Sequence, residues 1–228
     1  MGEQEQFRDW LRSRRWFAGK GRTIRDTCVV DQVPLLSGIA IVLLKVWYRD
    51  GSEELYQLVR TADSTDALDS PDVQRTLFDL IRQSRQFGKV HFQRLLDIAE
   101  RGPSRQLRGE QSNTSIAYGQ HWILKMYRHL AEGESRDLSL GRFLTRAEFP
   151  FSPAVAGCAV YEHMTLGVLQ RFVPNQGDAW EYVSGQLRTP NPPEDLAWAA
   201  HGLPESDSLL AEMELLGQVT GAMHLSLI

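Results

Sequence analysis

Glu110-Gln111-Ser112-Asn113-Thr114-Ser115 opens a stretch that continues through a short apolar segment and a turn to Ile123-Leu124-Lys125-Met126-Tyr127-Arg128. Ser112, Asn113, Thr114 and Ser115 are small, tolerate tight turns and offer hydroxyl or amide donors. The expectation is a hydroxyl-rich turn flanked by short strands, with one lysine centred in the later strand. Side chains alternate along a strand, so Ile123, Lys125 and Tyr127 share one face while Leu124 and Met126 share the other. Lys125 thus leaves an apolar context on a defined side. Small donors beside such a lysine suit phosphate oxygens and make ATP the first ligand to consider. As an ordinary hairpin, the same residues would be a serine-rich turn with a snorkelling lysine.

The flanks add two further motifs. Arg14-Arg15-Trp16-Phe17-Ala18-Gly19-Lys20-Gly21-Arg22 resembles the signature of the maltokinase N-terminal cap. Residues 110–144 resemble the nucleotide-binding lobe of the same family, especially of maltokinases fused to trehalose synthase. Leu169-Gln170-Arg171-Phe172-Val173-Pro174-Asn175-Gln176-Gly177-Asp178-Ala179-Trp180 is similar to the hinge and following helix there. The motifs occur in the family's order and span most of the chain.

The resemblance implies an α+β fold in which an antiparallel cap subdomain (1–88) precedes a protein-kinase-like N-lobe (89–188) related to aminoglycoside phosphotransferases. A connector and helix (189–228) would then lead to a C-lobe absent from this sequence. It implies ATP at Ser112, Asn113, Thr114, Ser115 and Lys125, with Gln170, Arg171 and Phe172 offering backbone groups to the adenine; as an edge strand these last residues would need no ligand. It further implies transfer of the γ-phosphate to maltose, giving maltose 1-phosphate, within carbohydrate metabolism linked to glycogen biosynthesis. Trehalose synthase would be a partner.

The histidine-glycine-aspartate catalytic loop of that family has no counterpart, because His201-Gly202 is followed by Leu203. No catalytic or metal-binding residue is therefore assigned, and the ligands of Mg are expected in the C-lobe. Phosphoryl transfer needs the nucleotide, the metal and the acceptor all held in line. The expectation is a half that binds nucleotide without completing catalysis. Two alternatives stand beside it: a cap acting as an interaction module in a trehalose synthase assembly, and part of a kinase for another sugar or aminosugar.

Composition narrows the classes. With 42% hydrophobic and 24% charged residues in 228, the chain has the make-up of a globular protein of one large or two small domains. A net charge of −4 gives no general attraction to nucleic acid or anionic lipid. Arg8, Arg12, Arg14, Arg15, Lys20, Arg22 and Arg25 do cluster, interleaved with Trp10, Trp16 and Phe17. Without a nucleic-acid reader motif, these arginines are expected to stack on the rings and pair with acids. Cys28 and Cys158 lack close-spaced partners and read as small core residues of a reduced compartment. The charged N-terminus has no apolar signal core, and the longest apolar run, Ile39 to Leu44, is too short for a membrane. A cytoplasmic location is expected.

The six histidines show no metal-ligand spacing. Asp63, Asp66, Asp69 and Asp72 are explained by a helix start, and no nucleophile elbow is present. Along the chain, a helix is expected over Phe7 to Trp16 with Phe7, Trp10 and Leu11 inward. Strands follow over Thr27 to Leu36, Ile39 to Arg49 and Glu54 to Thr61, the Asp50-Gly51 pair closing a hairpin. Ser70-Pro71 opens a helix to Ser84. Strands at Lys89 to Leu96, Ala154 to Tyr161 and Thr165 to Phe172 complete a five-stranded lobe sheet with the pair around the serine-rich turn. Helices are expected over Asp137 to Arg146, Asp178 to Leu187 and Ser206 to Ile228. The last has Leu209, Leu210, Met213, Leu216 and Val219 at helical spacing, a surface for self-association.

In related maltokinases the helix after the lysine strand carries a glutamate that pairs with the lysine. Ser139 occupies that position, and Asp137 is two residues away. The expectation is that Lys125 lacks a helix-borne carboxylate partner.

Overall fold

A computed structural model describes residues 3–99, 101–107, 112–175, 177, 179–187 and 204–227. Helix α1, Glu3–Ser13, buries Phe7 and Leu11 as expected but stops before Arg14. The expected extension to Trp16 fails for a physical reason. Aromatic side chains lose rotamer freedom in a helix, whereas here Phe17 is buried and Trp16 packs at its side. A short 3-10 turn, Ala18–Gly21, then leads into the first sheet.

Strands β1 (Ile24–Pro34), β2 (Ala40–Tyr48) and β3 (Glu53–Arg60) form an antiparallel meander. The Asp50-Gly51 turn lies where the hairpin requires it, with Gly51 at φ +85°, a conformation that costs glycine little. Strand β2 is buried on both faces. Val42, Leu44, Val46 and Tyr48 pack under α1, while Ile41 and Leu43 join the main core. Helix α2, Pro71–Arg82, starts with Pro71 in the first turn after Ser70, whose side chain makes no capping hydrogen bond.

The second sheet collects β4 (Gln86–Phe87), β5 (Val90–Arg94), β6 (Ser104–Gln106), β7 (Asn113–Tyr118), β8 (Trp122–Tyr127), β10 (Val155–Tyr161) and β11 (Met164–Arg171). Its order is β4-β5-β10-β11-β8-β7-β6, so short strands β4 and β6 flank the five expected ones. Strand β9, His129–Leu130, leaves this sheet and pairs with β3, Leu55 opposite Leu130. The lysine strand is therefore continuous with a strand of the cap sheet.

One core joins the two sheets. Ile41, Leu43 and Val59 of the cap pack with Leu77, Phe78 and Ile81 of α2 and with Leu124, Met126 and Leu169 of the lobe. Each such side chain contributes about 1.5–3 kcal/mol by leaving water. On the other side of the lobe sheet, α3 (Arg136–Arg146) buries Leu138 against Val155, Cys158 and Val168. Burial pushes the Cys158 thiol up to about 11, while Cys28 is exposed. These elements form one compact unit, Met1–Thr145 with Ser152–Val173.

A second unit comprises Arg146–Phe151 and Pro174–Ile228. It contains α4 (Ala179–Leu187) and α5 (Pro204–Ser226). On α5, Leu210, Met213, Leu215 and Leu216 are exposed, and the adjacent pair shows that the apolar residues are not confined to the single expected stripe. His201, Gly202 and Leu203 lie outside the described residues.

Candidate functional site

Lys125 sits in the middle of β8 with Ser115 of β7 and Val168 of β11 as its direct cross-strand neighbours. Opposed residues of an antiparallel pair share a face, so Ser115, Lys125 and Tyr127 lie on the face that carries α3. The expected alternation holds: Leu124 and Met126 point into the core. Lys125 keeps a side-chain exposure of 30%, leaving its ammonium reachable from solvent.

The expectation that no carboxylate of α3 reaches Lys125 is wrong. Lys125 Nζ lies 2.7 Å from Asp137 Oδ2, and the Tyr127 hydroxyl donates to the same oxygen at 2.9 Å. Ser139 takes no part; its hydroxyl contacts the Arg136 carbonyl at 3.4 Å. Spacing rules for a helix interior would put Asp137 on another face than Ser139. Asp137 belongs to the first turn, where side chains tilt back past the helix start, toward the strand that precedes α3. The Lys125 hydrogen bond, helped by Tyr127 and opposed by partial burial, holds the Asp137 carboxyl below the usual carboxylate range.

The hydroxyl cluster needs a second correction. Asn113, Thr114 and Ser115 belong to β7 and not to a turn, since they pair with Tyr127, Met126 and Lys125. Pleating then separates them. Thr114 is buried and faces away from Lys125, its Oγ1 accepting from Arg128 Nε at 2.8 Å. Ser115 is buried on the lysine's face. Ser112, exposed, and Asn113, half-buried with its Nδ2 3.3 Å from Ser112 Oγ, stand at the start of β7. The expected turn, with Glu110 and Gln111, falls on residues 108–111, which lie outside the described residues.

At the expected hinge, Gln170 pairs with Ile123 on one side and Val155 on the other. The Arg171 N–H donates to the Ala154 carbonyl at 2.9 Å and the Phe172 N–H to the His121 carbonyl at 2.8 Å. Those two donors are already used within the chain, so β11 is an interior strand and not an edge. The Arg171 guanidinium stands 5.5 Å from the Trp122 ring centroid.

The cap signature has a structural explanation. Trp16 faces the guanidinium of Arg128 at 4.8 Å, and Phe17 packs on Tyr56 at 5.3 Å. Gly19 leaves room that a Cβ would take from the Tyr48 hydroxyl and the Phe17 ring. Arg22 stacks on Tyr48 at 3.6 Å and bonds Glu54 at 2.7 Å and Asp50 at 3.2 Å. Burial opposes charge on Glu54, but hydrogen bonds from Tyr48 and Tyr56 and the charges of His129 and Arg22 bring its carboxyl below the usual range. Burial and Glu54 push the Tyr48 phenol up to about 12. Arg14 stands over Trp10 at 4.7 Å. Within the basic cluster, Arg8 is thus engaged with a carbonyl, Arg14 with a ring, and Arg22 with a ring and two acids.

Arg128, missed as a site residue by sequence, ties cap to lobe. Its side chain is 3% exposed and bonds Asp66 at 2.8 Å. Gln57 adds bonds to the Tyr127 and Leu166 carbonyls at 3.0 and 3.1 Å. A cavity of about 740 Å³ lined by Arg75, Asp79, Arg82, Ile98 and Arg101 shares no residue with the Lys125 face. Among the described residues, no group of three or more His, Cys, Asp or Glu side chains is placed to hold a metal, and no helix is long and apolar enough to cross a membrane.

An antiparallel sheet whose central lysine is paired to a carboxylate on the adjacent helix is the arrangement of a kinase-like N-lobe. The comparisons agree. Residues 10–76 match the model of the maltokinase N-terminal cap domain, and 88% of the chain matches a kinase-like fold. A solved glucosamine kinase in complex with glucosamine, ADP and inorganic phosphate superposes with a TM-score of 0.59 at 18% identity, covering 88% of this chain and 46% of that one. Another glucosamine kinase crystal form gives 0.60 at 20% identity, covering 88% and 45%. The chain spans about half the length of the kinases it resembles.

Proposed function

We propose that this chain is the N-terminal, ATP-binding part of a maltokinase, contributing the cap and nucleotide lobe to phosphorylation of maltose at its anomeric hydroxyl. The observation that carries the nucleotide part is the Lys125–Asp137 pair on the α3 face of a kinase-like sheet, with the lysine partly exposed. Lys125 would meet the phosphates, with Ser112 and Asn113 at the start of β7. Ser115 would act from beneath and Thr114 only through Arg128. Adenine would be met at the hinge by Gln170, Arg171 and Phe172 through groups other than the two N–H donors already used.

Maltose is favoured by the cap match, which covers residues 10–76. The glucosamine kinase neighbours favour a second reading, a related aminosugar kinase. Magnesium would accompany ATP, but the described residues offer it no carboxylate cluster, so its ligands would be supplied outside them. Trehalose synthase would be a partner of the assembled enzyme, in the cytoplasm. Calorimetric titration with Mg-ATP tests the proposal. Weak but measurable binding that Lys125→Met reduces severalfold is expected. No heat at millimolar ATP, or unchanged binding by the variant, would remove it.

A further inference from the structure

The Lys125–Asp137 pair contains a third member that neither the cap match nor the kinase likeness assigns. Lys125 and Tyr127 stand two residues apart on one face of β8, and both reach Asp137 Oδ2, at 2.7 and 2.9 Å. The Lys125 ammonium is also 5.5 Å from the Tyr127 ring centroid. Tyr127 is half-buried and packs between the core beneath the sheet and the cluster under α3. Its ring is therefore fixed where its hydroxyl is used.

We propose that Tyr127 is a positioning residue: its hydroxyl locks the Asp137 carboxylate over β8, so that Lys125 is set for a phosphate before nucleotide arrives. This deepens the ATP-binding proposal above and rests on it for the ligand. Two donors on one oxygen give the arrangement a specific property. When Lys125 moves toward a phosphate, Tyr127 still holds the carboxylate, and the lysine has an ordered acid to return to. A pair of flexible side chains alone would lose that order with each exchange. Aspartate has less reach than glutamate, so the first-turn position of Asp137 and the long, rigid phenol of Tyr127 compensate from opposite ends.

The pH behaviour follows with a definite sign. Lys125 first, and Tyr127 with it, hold the Asp137 carboxyl below its ordinary value. A depressed carboxyl keeps its pair at all pH above the unfolded value and loses it as pH falls through the folded one. Nearby on the same helix, Arg142 is closed on Glu134 at 2.9 Å, and Arg136 adjoins Asp137 in sequence; from the sheet side the facing groups are Lys125, Tyr127 and the buried Cys158 thiol.

The test compares the chain with Tyr127→Phe, which keeps the ring and removes only the hydroxyl. The Asp137 carboxyl is followed by carbon NMR across the acid range, thermal unfolding is measured beside it, and Mg-ATP affinity is measured at neutral pH. Expected are a higher Asp137 midpoint, a fall in unfolding temperature at neutral pH no larger than that midpoint shift entails by linkage, and ATP affinity reduced about threefold to tenfold. A purely structural tyrosine would lower the unfolding temperature and leave the midpoint in place, and that result overturns the proposal. So does a raised midpoint with unchanged ATP affinity when wild-type binding depends on Lys125. If wild-type ATP binding is insensitive to Lys125→Met, the nucleotide proposal fails instead, while the midpoint still decides whether Tyr127 positions Asp137.

Discussion

Arg128→Met is expected to destabilise the cap-and-lobe unit by about 3–5 kcal/mol. The side chains of Arg128 and Asp66 are 3% and 10% exposed, with their charged groups 2.8 Å apart. At an effective dielectric near 20, that separation corresponds to roughly 6 kcal/mol of attraction, most of it offset by desolvating both ions. The intact pair therefore adds little net stability. The variant is costly for a different reason: Asp66 stays largely buried with the Val59 N–H, at 3.3 Å, as its remaining carboxylate donor among the described residues, and Thr114 Oγ1 loses its 2.8 Å donor. Denaturant unfolding followed by tryptophan fluorescence measures the loss. Adding Asp66→Leu removes the stranded charge and should recover much of it. A single-variant cost under about 1 kcal/mol would class the pair with exposed ones and refute the reasoning; so would a double variant no more stable than the single.

Gly19→Ala should cost roughly 1–3 kcal/mol by overpacking. Gly19 has φ −79°, which alanine accepts, so the loss comes from contact with the Tyr48 hydroxyl and the Phe17 ring; an unchanged unfolding temperature would contradict the packing described for the cap signature. The exposed leucines of α5 should drive self-association, seen by light scattering as a concentration-dependent mass that Leu215→Gln with Leu216→Gln reduces; a monomer at every concentration would refute it. The chain with Mg-ATP and maltose should form no maltose 1-phosphate above background, because no aspartate follows His201-Gly202. Product formation dependent on the chain would show an acceptor-activating group elsewhere.

Local signals carried much of the fold. The Asp50-Gly51 hairpin, the Ser70-Pro71 helix start and the alternation around Lys125 all depend on neighbouring residues, and each appears in the structure. What was not legible depends on distant ones. Strand β9 is two residues long and exists because Leu55 of the cap offers it an edge. Arg128 reads as the end of a strand until Asp66, Trp16 and Thr114 converge on it from separate elements. Thr114 and Ser115 suit a turn or a strand by size, and only the register with β8 decides between them. Asp137 escapes the face rules of helix interiors because it lies in a first turn; an acid at a helix start, just after a lysine strand, is the signal the sequence offers.

Site-resolved amide NMR during Mg-ATP titration tests the central claim most directly. The claim predicts that shifts begin at Ser112, Asn113, Ser115 and Lys125, extend to Phe172 and Val173, and collapse in Lys125→Met. Shifts confined to the arginine-lined cavity of Arg75, Arg82 and Arg101, or no shifts at millimolar ATP, would contradict it.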